Sequence, residues 1–345
     1  MSSVGRPEST LGLQSGGEIV SGFMPRRSPK PVKFEKELVF ADRNFPLAVF
    51  ILDEHPDYPL HVHDFSEIVI IAHGRGVNVV RDEEFPLKAG DVFVHHGGRP
   101  HGYRDTKNLG LINVIYEQSL LQRVRFDVAG LPGYQSLFVV EPAMRRKGEF
   151  ERHLTLGIRD LARARELAEA MEKELYGDAP RVRPVAFEER HRSSAKKLAR
   201  TDATGHRFMA VAHFMALIGL LSRAYNSEPT VDSERIMKIG RAIAYMESHF
   251  SEDLKLPELA QMVGMSDRNF YRFFSRVKNE SPLSYLQRLR IVKGAKLLQS
   301  TDMSVTEAAF ECGFNDSSYF ARQFRRILGV SPRQLQAGGR MRGGV

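Results

Sequence analysis

The last third of the chain repeats itself. Leu259-Ala260-Gln261-Met262-Val263-Gly264-Met265-Ser266 returns 49 residues later as Ala308-Ala309-Phe310-Glu311-Cys312-Gly313-Phe314-Asn315. Phe270-Tyr271-Arg272-Phe273-Phe274 returns 50 residues later as Phe320-Ala321-Arg322-Gln323-Phe324, and Ser281-Pro282 as Ser331-Pro332. A pattern that brings back its glycine, its aromatics and its Ser-Pro in register requires two copies of one supersecondary unit. The one-residue slip falls between the glycine and the next helix, where a turn absorbs it.

Each copy reads as a helix-turn-helix. Leu256-Pro257 puts proline in the first turn of one leading helix. Ser304-Val305-Thr306-Glu307 is a capping box for the other. Gly264 and Gly313 supply the left-handed residue that ends each leading helix, and Ser266 or Asn315/Asp316 starts the second. In that second helix Phe270, Phe273, Phe274 and Val277 share one face, with Arg268, Tyr271, Arg272 and Ser275 on another. The later copy sets Phe320, Phe324 and Ile327 against Ser317, Ser318, Ala321, Arg322 and Arg325. The apolar face packs inward and leaves the arginine face free for a major groove. Between the copies, Ser281 caps and Pro282 starts a helix to about Gln299, with Arg288, Arg290, Lys293 and Lys296 along it. At on the order of 25 Å it holds two recognition helices about one DNA turn apart.

Charge follows the repeat. Residues 234–345 carry 18 Lys and Arg against 11 Asp and Glu, a net of +7 within a chain of +8. A localised positive field attracts polyanions. Cys312 is the single cysteine, which excludes an intrachain disulfide and any cysteine zinc site; it reads as a small buried apolar residue. The longest apolar run, Met209–Leu221, is too short to span a bilayer, and a cytoplasmic chain without membrane contact is expected.

Upstream the period is that of strands. Phe45–Leu52, Glu67–Ala72, Gly76–Val80, Gly90–Val94 and Leu109–Tyr116 are short apolar segments. His73-Gly74-Arg75-Gly76 and Gly97-Gly98-Arg99-Pro100 are expected turns between them, which points to a β-sandwich or small barrel. From Phe150 to Leu175 the spacing becomes helical, through Leu154, Ile158, Leu161, Ala164, Ala168 and Met171. Phe208–Tyr225 is apolar nearly all round, as suits burial between elements or across a dimer interface. The expected organisation is a mobile tail (1–32), a barrel (33–116), a helical extension that makes the dimer contact (117–225), a linker (226–233), the paired DNA-binding units (234–337) and a short tail (338–345). Residues 178–205 form a basic, proline-containing insertion.

Gly313-Phe314-Asn315-Asp316-Ser317-Ser318-Tyr319-Phe320, followed by Phe324-Arg325-Arg326 and Gly329-Val330-Ser331-Pro332, closely resembles the signature of the AraC family of bacterial regulators. Gln287–Leu298 and His61–Ile70 are similar to that family's rhamnose-responsive activators. The resemblance implies base reading by Arg268, Tyr271 and Arg272 in the first unit and by Ser317, Ser318 and Arg322 in the second. Arginine's fork matches guanine O6 and N7 independently of any family; a phosphate clamp or an internal salt bridge is the competing role for Arg272 and Arg322. Lys278, Lys293, Lys296, Arg325 and Arg326 are assigned to phosphate. Asn279 stands where the family has glycine and is expected to be left-handed. Glu307 and Asp316 are the positional candidates for touching RNA polymerase.

His61-x-His63-x3-Glu67, with Gly98-x-Pro100-His101 later, resembles the two cupin motifs. On a strand His61 and His63 point to one face, and imidazole with carboxylate suits Mn, Fe or Zn. These four residues therefore line an effector pocket, hold a metal, or serve as satisfied polar groups; no cofactor is required. His73, His95 and His96 are expected at turns or the rim. The fold expected is multidomain α+β: a cupin-like β-barrel with a helical extension, then an all-α tandem helix-turn-helix domain. The function implied is a dimeric, non-enzymatic activator of a catabolic operon, with double-stranded DNA, RNA polymerase and a small-molecule effector, commonly a sugar, as partners. The alternatives are a metal-dependent cupin enzyme or metal sensor with a DNA-binding tail, and an architectural protein without sequence preference.

Overall fold

The computed structural model describes residues 31–40, 42, 44–80, 83–123, 127–145, 154–177, 204–227 and 231–340. Most of the expected tail, most of the 178–205 insertion and the end of the chain lie outside these. The strands are β1 (Val32–Phe34), β2 (Leu47–Leu52), β3 (Tyr58–His63), β4 (Ser66–Val80), β5 (Glu83–Lys88), β6 (Asp91–His95), β7 (His101–Tyr116) and β8 (Leu154–Thr155). They form one sheet in the order β1-β3-β7-β4-β6-β8, with β2 added to β7 and β5 to β4. Only β1 and β3 run parallel among the pairs named.

Two expected breaks are absent. His73-Gly74-Arg75-Gly76 is no turn: β4 runs through it and stays paired with β7. Register shifts between Ile71 and Val77 bend the strand there instead. Gly74 has φ 78°, and a Cβ on it would meet the Asn108 carbonyl oxygen at 1.8 Å. The glycine thus marks a bulge inside a long strand. β7 likewise begins at His101, eight residues before the expected Leu109. Gly97 and Gly98 do lie in a turn.

Period two sorts these strands into two faces. Ile68, Ile70, Val92, Val94, Ile112 and Val114 face the helices, in a core continuous with theirs. Val69, Ile71, Phe93, Tyr103, Leu109 and Leu111 fill the other side.

The first helices are α1 (Lys36–Val39) and α2 (Gln118–Arg123). A 3-10 turn (Asp127–Gly130) then leads into a continuous helical run of α3 (Pro132–Tyr134), a π-helical turn (Gln135–Val140) and α4 (Glu141–Arg145). α5 (Ile158–Tyr176) and α6 (His206–Ser227) pack on each other, and α5 also packs on β2. The expected helix from Phe150 therefore starts later, because Leu154 pairs with Val92 as β8. Ile158, at the helix tip, is 89% exposed, and Leu167 joins the buried face instead. Among the described residues α6 is the one helix long and apolar enough to cross a membrane. Its Phe214, Leu217, Ile218 and Leu221 are fully buried in the common core, the position of an interior helix.

Helix α6 runs to Ser227 and α7 (Val231–Ser248) begins within the expected linker. Then come α8 (Leu256–Met262), α9 (Asp267–Lys278), α10 (Pro282–Ser300), α11 (Val305–Glu311), α12 (Ser317–Leu328) and α13 (Pro332–Arg340). The core under the sheet continues through α3 and the π-helical turn into α7, α8, α9 and the start of α10. The first helix-turn-helix unit is therefore docked on the barrel half, with α4 against α9. The second has its own core of Ile291, Leu298, Ala308, Ala309, Cys312, Phe314, Phe320 and Phe324.

Candidate nucleic-acid interface and histidine cluster

Helices α8 and α9 form one helix-turn-helix, and α11 and α12 the other. Gly264 and Gly313 take φ of 66° and 76° at the turns, and Asn279 is left-handed at φ 57°, as its position requires. Ser304 accepts from the Glu307 amide while the Glu307 carboxylate accepts from the Ser304 amide. Asp316, rather than Asn315, caps α12 by accepting from the amides of Ser318 and Tyr319. Both carboxyls sit below their ordinary value through these hydrogen bonds. The two acidic residues assigned to polymerase are thus already helix caps.

On α9, Phe270, Phe274 and Val277 are buried while Arg268, Tyr271 and Arg272 are exposed. Arg272 donates to Asn269 Oδ1 at 3.0 Å and lies 5.3 Å from the Phe273 ring centroid, which holds the guanidinium along the helix. On α12, Phe320 and Phe324 are buried, Ser318, Arg322 and Arg325 are exposed, and Ser317 is half-buried. Arg322 lies 5.7 Å from the Tyr319 ring, whose hydroxyl accepts from Gln287 at 3.0 Å. Lys293 is half-buried, its ammonium 5.0 Å over Phe250. Lys278 is drawn 4.5 Å over Tyr285. The cations along α10 divide: Arg288 pairs with Glu280 at 3.1 Å, and Arg290 is tied to backbone carbonyls. Cys312 is buried, and burial pushes its thiol up to about 11.

The barrel half gathers the four cupin-motif residues. His61 and His63 come from β3, Glu67 from β4 and His101 from β7, on the face shared with Val69 and Tyr103. His61 stands opposite His101 in the ladder and Glu67 opposite His95. All are buried. One ring nitrogen from each of His61, His63 and His101 lies within 4.8 Å of the others. Nδ1 of His61 is 3.2 Å from Pro59 O, that of His63 3.0 Å from Phe65 O and that of His101 3.2 Å from Arg99 O. A proton on Nδ1 makes Nε2 the ligating nitrogen of a ring, whereas a proton on Nε2 lets His63 and His101 donate to Glu67. Nε2 of His63 and of His101 each stand 3.1 Å from the same oxygen, Glu67 Oε2, and Asn113 donates to the other oxygen.

A neutral ring can donate to only one of its two acceptors, so a cation between the Nε2 atoms and Glu67 would satisfy every partner. Backbone carbonyls orienting histidines in this way are the usual support of metal ligands. Burial, with His101 nearby, drives His61 down to about 2, so its ring is neutral. Burial raises Glu67, but hydrogen bonds from His101 and His63 outweigh it and hold the carboxylate well below its ordinary value.

His95 is not a rim residue. Its ring stacks on His101 at 4.4 Å, and its Nε2 is buried with no hydrogen-bond partner among the described residues. Strand β6 runs one residue past the expected Val94, and the parity of Phe93 puts His95 inside. His96 points the other way, with Nδ1 3.0 Å from Ser66 Oγ and Nε2 2.7 Å from Phe138 O. His73 is half-buried on β4, with Nδ1 3.0 Å from Asn108 O. Sequence reasoning also missed the buried Glu141, whose carboxylate accepts from Arg145 and, at 2.7 Å, from Tyr225. Nothing in its local pattern marks a charge that only tertiary packing buries.

The comparisons agree with this division. A model for a helix-turn-helix domain matches residues 259–338, and one for an AraC-like ligand binding domain matches residues 48–177. The chain is 32% identical over 300 residues to the HTH-type transcriptional activator RhaS of Salmonella arizonae, covering 87% of this chain and 95% of that protein. It is 31% identical, with the same coverage, to RhaS of Enterobacter sp.. Among solved structures, the DNA-binding domain of AdpA in complex with a target DNA is 33% identical, covers 30% of this chain and 95% of that chain, and has a TM-score of 0.30. With relatives matched over most of its length and both halves recognised, the chain belongs to the AraC family of DNA-binding transcriptional regulators.

Proposed function

We propose that this regulator is an effector-responsive activator of a catabolic operon. In this reading it acts as a cytoplasmic homodimer that contacts RNA polymerase, and its effector is a sugar or related small molecule. The observation that carries DNA reading is the matched pair α9 and α12, each with buried phenylalanines on one face and exposed arginine on the other, joined by α10. At 19 residues α10 is about 28 Å long, which suits consecutive major grooves. Arg268, Tyr271 and Arg272, with Ser317, Ser318 and Arg322, would meet base edges; Lys293 and Arg325 would meet phosphate. Activation is supported by the relatives' names, and dimerisation through α5 and α6 by the exposed apolar side chains of Ile158 on α5 and of Phe208 and Met209 on α6. Glu307 and Asp316 would reach polymerase through the carboxylate oxygen that each leaves outside its cap.

Mapping the bound sites genome-wide, then footprinting one, tests this reading. A protected, asymmetric sequence of roughly 20 bp per protomer is expected, with a reporter that rises when the right sugar is supplied. Uniform binding removed by non-specific competitor would make the protein architectural instead.

A second reading is favoured by the converging Nε2 atoms. His61, His63, His101 and Glu67 would hold one divalent transition ion, which when bound supplies a Lewis acid in the barrel. Metal analysis of purified protein should find about one equivalent, lost in His63→Ala; a metal-free wild type after loading would sink it. A turnover screen on sugars separates a sensor from an enzyme.

A further inference from the structure

The barrel half and the helix-turn-helix domain enclose a space between them. A cavity of about 180 Å³ lies where the helical extension meets the first unit, while that beside the histidines, bounded by Asn78, His95 and Arg145, is about 20 Å³. A water needs ~10–15 Å³ of such space, so the smaller holds one or two waters. The histidine rings pack closely on one another, with centroids of 4.2 and 5.1 Å from His101 to His61 and to His63. The larger, at about 180 Å³, exceeds the ~150 Å³ cavity that admits a six-membered ring such as benzene, the ring size of a pyranose.

Its walls suit one. Tyr134, Phe138 and Tyr285 offer ring surface, while Gln135, Glu247 and Lys278 offer hydrogen bonds. Gln135 is 3% exposed; its Nε2 donates to Ala129 O at 2.6 Å, and its Oε1 has no hydrogen-bond partner among the described residues. A buried acceptor of that kind calls for a donor from a ligand or water. Tyr285 donates to Glu247 at 2.7 Å, and Lys278 lies over the same ring. One carboxylate and one ammonium leave the walls without net charge, which favours a neutral ligand. Lys278 ends the recognition helix α9, so a ligand here would touch reader and sensor together.

We propose that this interdomain cavity, rather than the histidine-lined barrel, is the effector site, and that it takes a neutral polyol of monosaccharide size. The proposal rests on the effector-responsive reading above. A ligand that bridges the two halves favours their docked arrangement over any other, and by reciprocity operator DNA must change sugar affinity by the same factor as sugar changes operator affinity.

The test uses the full chain with a panel of aldohexoses, 6-deoxyhexoses, pentoses and hexitols. The chain has ten tyrosines and no tryptophan, so tyrosine emission follows binding through three of the ten, Tyr116, Tyr134 and Tyr285 at this cavity, and amide exchange gives the location. One sugar class should bind one per chain and slow amide exchange across residues 128–139 and 278–285. Gln135→Leu and the space-filling Ala129→Leu should each weaken it at least tenfold, and His63→Ala less than threefold. Protection instead at residues 61–67 and 95–101, with loss of binding in His63→Ala, would return the effector to the barrel and leave the effector-responsive reading intact. No binding by any sugar would overturn the polyol assignment. Operator occupancy in cells that ignores every growth sugar would overturn the function itself.

Discussion

Arg290 donates from Nε to the backbone carbonyl of Phe250 at 2.6 Å. Its Nη2 reaches the Glu252 carbonyl at 2.7 Å, and its guanidinium lies 6.0 Å from the Phe314 ring. A cation on the joining helix therefore ties the end of α7, where carbonyls would otherwise lack partners, to the core of the second unit. Its burial pulls the guanidinium below its ordinary value. This strut fixes the spacing of the two readers, a different role from phosphate contact.

Arg290→Ala should accordingly act on the fold before it acts on DNA. Charge-assisted hydrogen bonds of this kind are worth roughly 1.5–3 kcal/mol, and partial exposure puts the expected loss near the lower end. Urea unfolding should show a lower midpoint. Operator binding should weaken as the spacing relaxes, with little change in base preference at any one position.

Arg272→Ala and Arg322→Ala should do the opposite. Both side chains are exposed, so unfolding midpoints should hold. Each should lose about 1–3 kcal/mol of discrimination at one base pair, roughly 5- to 150-fold. Gel shifts against a single-substituted operator series would locate the base. Lys293→Ala should instead weaken all sequences together and lower the salt slope by about 0.9. Unchanged operator affinity in Arg272→Ala would show that its contact with Phe273 and Asn269 is its whole role.

The contrast among these arginines measures what was legible in the sequence. The 49- and 50-residue echoes were enough to lay out both helix-turn-helix units, their caps and their exposed arginines, because local spacing sets helix faces. Local spacing could not separate Arg290 from Arg272, since the carbonyls it reaches are 38 and 40 residues away. The same limit applied to β4 and β7. Gly74 looked like a turn because glycine signals both turns and bulges, and only the pairing with β7 distinguishes them. His61, His63, Glu67 and His101 were found by motif. His95 was missed because the strand was ended one residue early, although the parity of Phe93 already placed it with them.

Gly313 and Gly329 offer a controlled comparison. Both have φ of 76°, so alanine strains both backbones by about 1–2 kcal/mol. At Gly329 a new Cβ meets nothing within 4 Å, whereas at Gly313 it would lie 2.4 Å from the Ser251 carbonyl oxygen. Gly313→Ala should therefore cost roughly 1–3 kcal/mol more than Gly329→Ala. Equal costs in urea unfolding would mean that the loop at Ser251 moves freely aside.

The Glu141 carboxyl gives the chain a dependence on pH. Burial pushes it up to about 7 from an ordinary 4.5, against the downward pull of Arg145 and Tyr225. Between those values the folded state keeps a proton that the unfolded state has lost, so stability must fall as pH rises. The contribution is complete below about 4.5 and is lost as pH rises through about 7. Its ceiling is about 3 kcal/mol. Glu141→Gln carries no titrating proton, so wild type should lose ground to this variant across that window. Urea unfolding of both at pH 5, 6, 7 and 8 measures the gap. Because α4 packs on α9, operator affinity of the wild type should weaken over the same range more than that of the variant. Parallel curves for the two proteins would mean that Arg145 keeps Glu141 ionised throughout, and that the pair is a fixed strut under the recognition helix.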